Sequence, residues 1–154
     1  MGDVMVITGA EEAKAAVGKH LGYSDWVEIT QERVNQFADA TGDHQWIHVD
    51  IERANAGPFG APIAHGYLTL SMASMFLPTI VRYEGWNMAV NYGVDKVRFI
   101  APVLVGKRIR AGAEMMEVTD VKGGGVQTKV LITIEIEGSE KPACVIESLS
   151  RWLA

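Results

Sequence analysis

Two hydrophobic rhythms divide this chain. Between Val126 and Glu137, the residues Val126, Thr128, Val130, Ile132, Ile134 and Ile136 alternate with Gln127, Lys129, Thr133, Glu135 and Glu137. Only Leu131 interrupts the polar face. A period of two sends successive side chains to opposite faces of a strand. Asn87 to Ile100, Lys107 to Val121 and Ala143 to Trp152 also read as strands, giving four in succession. The alternation slips at Met115-Met116, which predicts a bulge. Gly123-Gly124-Gly125 predicts a hairpin loop between the second and third strands. It carries no P-loop lysine pattern, so a phosphate cradle is not its first reading.

The first half follows helical spacing instead. Ala10 to His20 carries Glu11 and Glu12 early and Lys19 and His20 late, with Gly22 as a stop. Asp25 to Ile29 reads as a short strand. Thr30 is a ready N-cap for a helix to about Ala40, with Val34, Phe37 and Ala38 as its apolar stripe. Thr41-Gly42 ends that helix. Asp50 caps a short helix from Ile51 to Ala56, closed by Gly57-Pro58. Phe59 to Ala64 is a loop. Gly66 to Leu77 reads as a helix that is apolar almost all round, roughly 18 Å long and ended by Pro78.

That last helix sits in a stretch, Ala61 to Val81, without Asp, Glu, Lys or Arg. A membrane span is the tempting reading, but Pro62, His65, Thr69, Ser71, Ser74, Pro78 and Thr79 make it a poor lipid-facing segment. A helix apolar all round in a soluble protein is a core helix. Helices first and long antiparallel strands afterwards spell α+β, with a curved sheet wrapped around one apolar helix. Residues 1–154 read as a single domain.

Composition narrows the function. Hydrophobic residues make up 48% and charged residues 21%, ordinary for a soluble globular protein. A net charge of −5 argues against nucleic acid and anionic membrane as partners. The single cysteine, Cys144, rules out an internal disulfide, suits the cytoplasm and reads as a small apolar filler. Met1-Gly2-Asp3-Val4-Met5 lacks the basic and apolar regions of a signal peptide.

The chemistry concentrates in Thr41-Gly42-Asp43-His44-Gln45-Trp46-Ile47-His48. A spacing of five does not place Asp43 and His48 on one helical face. A Gly-Asp turn followed by a short apolar step, however, folds both back toward one point. A carboxylate and a neutral imidazole sharing one water move protons near neutral pH. Ala64-His65-Gly66 then opens the apolar helix, and a helix start offers N–H groups to a developing anion. An acid/base pair plus an oxyanion donor at Gly66 is a reaction site in outline.

These residues resemble the MaoC-like (R)-specific enoyl-CoA hydratases, also called hydratase 2, which adopt the hot-dog fold. The family motif is roughly Gly-Asp-x-Asn-Pro-aliphatic-His, with a small residue after five more positions. Gly42, Asp43, Ile47, His48 and Ala54 match it, while Gln45 and Trp46 replace the usual Asn-Pro. The Gln-Trp-Ile-His run is similar to the nodulation-protein-N-like branch, and the likeness extends through Ala64-His65-Gly66-Tyr67 and Val97-Arg98-Phe99. The resemblance implies water addition to a trans-2-enoyl-CoA thioester, giving an (R)-3-hydroxyacyl thioester. It gives Asp43 and His48 the water and Gly66 the enolate-like oxygen, without cofactor or metal. It also implies a homodimer, since a hot-dog unit leaves a sheet edge exposed.

Plainer readings stand beside these. Asp43 alone is an ordinary residue of a helix-exit turn, and His48 alone an ordinary structural histidine. His65 suits a structural role at its turn better than a thioester contact. His44 and His48, four apart, raise a metal site with Asp43 or Asp50, unsupported by a His-Glu-x-x-His pattern or a cysteine cluster. Trp46 is either a substrate wall or a core plug. Met72, Met75 and Phe76 read as core. Arg98 and the Lys107, Arg108 and Arg110 cluster are left between phosphate contacts and surface ion pairs. Two other functions remain: a hot-dog acyl-CoA thioesterase, disfavoured because Gly66 to Leu77 holds no carboxylate, and a non-catalytic acyl-binding dimer.

Overall fold

The computed structural model describes residues 2–154, so Met1 of the amino-terminal stretch lies outside the described residues. The elements run β1 (Met5–Thr8), α1 (Gly9–Ala15), β2 (His20–Tyr23), β3 (Val27–Glu28), α2 (Gln31–Thr41), α3 (Trp46–Val49) and α4 (Ile51–Asn55). There follow α5 (Gly66–Ser71), α6 (Ala73–Ile80), β4 (Val81–Glu84), β5 (Met88–Phe99), β6 (Arg108–Val121), β7 (Gly125–Ile136) and β8 (Cys144–Leu153).

The alternation of β7 is the organising feature. Val126, Thr128, Val130, Ile132, Ile134 and Ile136 are all buried, and the residues between them are half-buried. β7 pairs antiparallel with β6 on one side and β8 on the other. The main sheet has the order β2-β6-β7-β8-β5, with β3 also pairing with β6. Its bulge falls between Met115 and Glu117 on β6, where the polar alternation slips. The inner face packs on α5 and α6: Leu68, Met72, Phe76 and Ile80 share one core with Ala111, Ala113, Ile132, Ile134 and Ile146. Ala111 and Ala113 are small enough to let the helix lie close on the sheet. Full burial of a side chain such as Phe76 contributes about 1.5–3 kcal/mol. This is the α+β hot-dog arrangement, an antiparallel sheet on a central apolar helix.

Several expectations change. The first helix stops at Ala15, and His20 opens strand β2 instead of ending a helix, because β2 finds the free edge of β6. The central helix divides at Met72 into α5 and α6, and Pro78 lies inside α6 rather than ending it. Proline removes one helical hydrogen bond there. The last turn persists because the Thr79 hydroxyl donates to the Phe76 carbonyl (2.6 Å) and Ile80 is buried. Met75 is exposed, its sulfur 3.5 Å from the Arg33 guanidinium, so only Met72 and Phe76 of the expected trio are core. β1 and β4 pair parallel across the chain, Met5 with Val81 through Thr8 with Glu84. Four-residue strands with no local partner leave little trace in sequence.

Cys144 is buried on β8, where burial pushes its thiol up to about 11, as suits a packing residue. Arg108 pairs with Glu137 across the β6–β7 ladder, and Arg110 pairs with Glu135 while covering the rings of Tyr23 and Trp26. Those two arginines are structural ion pairs. No helix among the described residues is long and apolar enough to cross a membrane.

Candidate active site

The turn that presents Asp43 is set by two caps. Thr30 accepts the Arg33 N–H (3.1 Å) to start α2. Gly42 ends it at φ 81°, a left-handed conformation that glycine adopts without a Cβ penalty. The chain therefore leaves α2 abruptly. The Asp43 carboxylate accepts the Gln45 N–H (3.3 Å), which tightens the exit turn. The one-turn helix α3 follows and turns His48 inward. α4 starts beyond it with Asp50 accepting the Arg53 N–H (3.1 Å).

His48 is buried, and its Nδ1 lies 2.6 Å from the Ile63 carbonyl. A carbonyl only accepts, so the proton sits on Nδ1 and the lone pair on Nε2. Gln31 anchors the same residue from α2, its amide donating to the His48 carbonyl (2.8 Å). Burial pushes the His48 imidazole below its usual value of 6.5, and the neighbouring His65 adds to the shift. The Ile63 hydrogen bond and Asp43 oppose it in part. His48 is therefore neutral at neutral pH, and its Nε2 makes no protein hydrogen bond among the described residues.

His65 is buried at the start of α5. Its Nε2 lies 3.0 Å from the Asp43 carbonyl, and its ring stacks on that of His48 with centroids 3.9 Å apart. One side-chain atom from each of Asp43, His48 and His65 falls within 4.8 Å of the others. The pair five residues apart in sequence is thus brought together, as the turn reading expects. The alternative metal grouping is not formed: His44 is exposed and faces Asp39 at 3.0 Å, while Asp50 caps α4. The stacked rings of His48 and His65, tilted by 23°, hold their in-plane lone pairs in nearly parallel planes. That suits a shared ion poorly, because zinc–nitrogen bonds of about 2.0–2.1 Å require lone pairs that converge.

A cavity of about 360 Å³ opens beside His48, bordered by Ile47, Phe59, Gly66, Thr69 and Phe99; Asp43 and His65 are not among its lining residues. The Gly66 N–H has no protein acceptor among the described residues. A Cβ at Gly66 would come within 3.1 Å of the Phe99 ring, so a larger residue there would push the exposed Phe99 side chain aside by a few tenths of an ångström. A larger cavity, about 520 Å³, lies between α6 and strands β5, β7 and β8. It is lined by neither a histidine nor a carboxylate, so size does not mark the reactive centre. Trp46 packs against Gly57 and under the Arg53 guanidinium, 4.2 Å from its ring, and does not border the 360 Å³ cavity. It is a plug. Gln31, the Ile63 carbonyl and the stacking of His65 are supports that sequence reading misses; Gln31 carried no signal beyond its place in the first turn of α2.

A MaoC like domain model matches residues 12–136. The chain belongs to the MaoC-like dehydratase family. It is 56% identical over 140 residues to 3-hydroxyacyl-thioester dehydratase Z of Mycobacterium tuberculosis, covering 91% of this chain and 93% of that protein. It is 41% identical over 145 residues to Nodulation protein N of Rhizobium meliloti, covering 93% of this chain and 88% of that one. The nodulation-protein-N likeness of the Gln-Trp-Ile-His run therefore holds across the chain. The solved structure of an (R)-hydratase from A. caviae superimposes with a TM-score of 0.72 at 24% identity, covering 90% of this chain and 96% of that one. At that identity it supports the MaoC-like fold.

Proposed function

We propose that this MaoC-like protein hydrates trans-2-enoyl-CoA to (R)-3-hydroxyacyl-CoA, and runs the reverse dehydration, as one domain of 154 residues. Asp43 and His48 hold the water, and the Gly66 N–H receives the thioester oxygen. The observation that carries this reading is the ring orientation of His48. Its Nδ1–H is committed to Ile63, which leaves the Nε2 lone pair for water on a residue that lines the cavity Gly66 borders and has a side-chain nitrogen within 4.8 Å of an Asp43 carboxylate oxygen. The 56% identity to a protein named 3-hydroxyacyl-thioester dehydratase Z supports the substrate class.

The steps balance without a further reagent. Water oxygen bonds to C3 and gives up one proton to the pair. The C2–C3 π electrons move toward the thioester, where charge on its oxygen meets the Gly66 N–H. The second proton transfer, to C2, collapses that enolate and restores the pair. Preorganised donors of this kind typically account for about 10²–10³ in rate. Crotonyl-CoA consumption without thiol release tests the reaction; thiol release would indicate hydrolysis, and neither would point to a binding protein.

The pH dependence follows from His48. Its folded value lies below 6.5, so the unfolded chain takes up this proton first as pH falls. The stability tied to neutral His48 is complete above 6.5 and declines as pH drops toward the folded value. The acid limb of kcat/KM, which reports the free enzyme, is expected below pH 6.5. A limb at or above that value would show a solvated histidine instead.

The assembly reading rests on β5. Among the described residues it pairs only with β8, at the sheet edge, and it exposes Met88, Val90, Tyr92 and Val94 along its length. A long apolar edge is a template for pairing. A homodimer joined through β5 is expected, with a light-scattering mass twice 16.8 kDa, and Val94→Lys should shift it toward monomer. A parent chain that stays monomeric at all concentrations would rule this interface out.

A further inference from the structure

We infer that His65 is the positioning residue of the site, and that it sets both members of the pair at once. The inference rests on the hydratase reading above. Two contacts carry it. The Asp43 carbonyl only accepts, so the His65 Nε2 bears the proton and donates across 3.0 Å, tying the start of α5 to the turn that projects the carboxylate. The His65 ring lies face to face with His48, centroids 3.9 Å apart, with Phe37 packed against its other neighbourhood at 4.9 Å. His48 is thereby held between its Nδ1–H bond to Ile63 and the flat face of the buried His65 ring.

The burial pattern argues that this is more than a packed side chain. His65 is 2% exposed, and its Nδ1 is the one buried side-chain polar atom without a partner among the described residues. An unpartnered buried acceptor costs free energy that an apolar side chain of similar shape would avoid. The arrangement makes sense if the other nitrogen has a task that an apolar side chain lacks. Asp43 is exposed, and its own other hydrogen bonds among the described residues are two long ones, of 3.3 and 3.4 Å. The donor from His65 is the shortest bond to that residue. Gly66, whose N–H is assigned to the thioester oxygen, is the next residue in the chain. His65 therefore couples the oxyanion donor to the acid/base pair through one rigid ring.

Two variants separate the two contacts. His65→Gln keeps a distal N–H able to reach the Asp43 carbonyl but loses the ring. His65→Phe keeps a ring face against His48 but loses the donor. With crotonyl-CoA, His65→Phe should lower kcat by about 10²-fold with little change in KM, because a displaced carboxylate loses geometry rather than binding. His65→Gln should keep kcat within about tenfold of the parent, and its acid limb should move up toward 6.5 as the His48 face opens to water. Circular dichroism confirms that each variant is folded. Two folded variants with parental kcat and an unmoved acid limb would overturn the inference. So would equal losses in both variants that track only a fall in melting temperature. Imidazole ¹⁵N spectra of the parent supply a readout independent of turnover: His65 should be the Nε2–H tautomer and His48 the Nδ1–H tautomer. An Nδ1–H His65 would overturn the inference, whereas parent protein with the expected tautomers but no hydration would locate the failure in the hydratase reading.

Discussion

Asp43→Asn should remain folded and lose hydration by about 10²–10⁴-fold in kcat, the usual span for a positioned proton-transfer group. The substitution is nearly isosteric. An asparagine oxygen can still accept the Gln45 N–H, and the His65 bond is to the main chain, so the turn persists. Asp43 is exposed, so the stability change should stay within about 0.5 kcal/mol. What disappears is the negative charge and the capacity to take and return a proton. Asp43→Glu is the informative companion. It keeps the carboxylate but advances it by one methylene, and a misplacement near 1 Å costs about 10²-fold. A parental rate in Asp43→Asn, in folded protein, would remove this residue from the mechanism.

The second large effect belongs to His48, where activity and stability fall together for separable reasons. His48→Gln removes the imidazole and also the donor to the carbonyl of buried Ile63, which accepts no other hydrogen bond among the described residues. An unsatisfied buried carbonyl costs about 1–3 kcal/mol. The loss of proton transfer is expected to cost about 10²–10⁴-fold in kcat and to abolish the acid limb altogether. His48→Asn can place an amide N–H near the Nδ1 position and so keep the Ile63 bond. Urea midpoints should therefore rank the parent and His48→Asn above His48→Gln, while both variants are equally impaired in turnover. Groups that act on one water are also non-additive. Asp43→Asn combined with His48→Gln should be little slower than either alone, and a multiplicative loss would mean that the two act on separate steps.

What could be read from sequence, and what could not, follows the range of the forces involved. The long strands of the second half, the bulge at Met115-Met116 and the caps at Thr30, Gly42 and Asp50 are written in local pattern, and they are found where that pattern places them. β1 and β4 are not, because each exists only through a partner more than seventy residues away. The break of the central helix at Met72 and the passage through Pro78 also depend on tertiary packing, which holds Ile80 in the core. At the site, residue types and their turn are enough to place Asp43 near His48. Their supports did not show, since the Ile63 carbonyl and the Gln31 amide are generic groups given meaning only by distance. His65 lies between these cases. Its place before Gly66 was evident, but the hydrogen bond to the Asp43 main chain and the stacking on His48 require three dimensions.

The most direct measurement is the chirality of the product from crotonyl-CoA, read by (R)- and (S)-specific 3-hydroxyacyl-CoA dehydrogenases with the parent, Asp43→Asn and His48→Gln in parallel. The expected result is (R)-product alone from the parent and a rate lower by about 10²–10⁴-fold from either variant. Product of (S) configuration, or (R)-product undiminished in both folded variants, would contradict the assignment of Asp43 and His48 as the pair that delivers water.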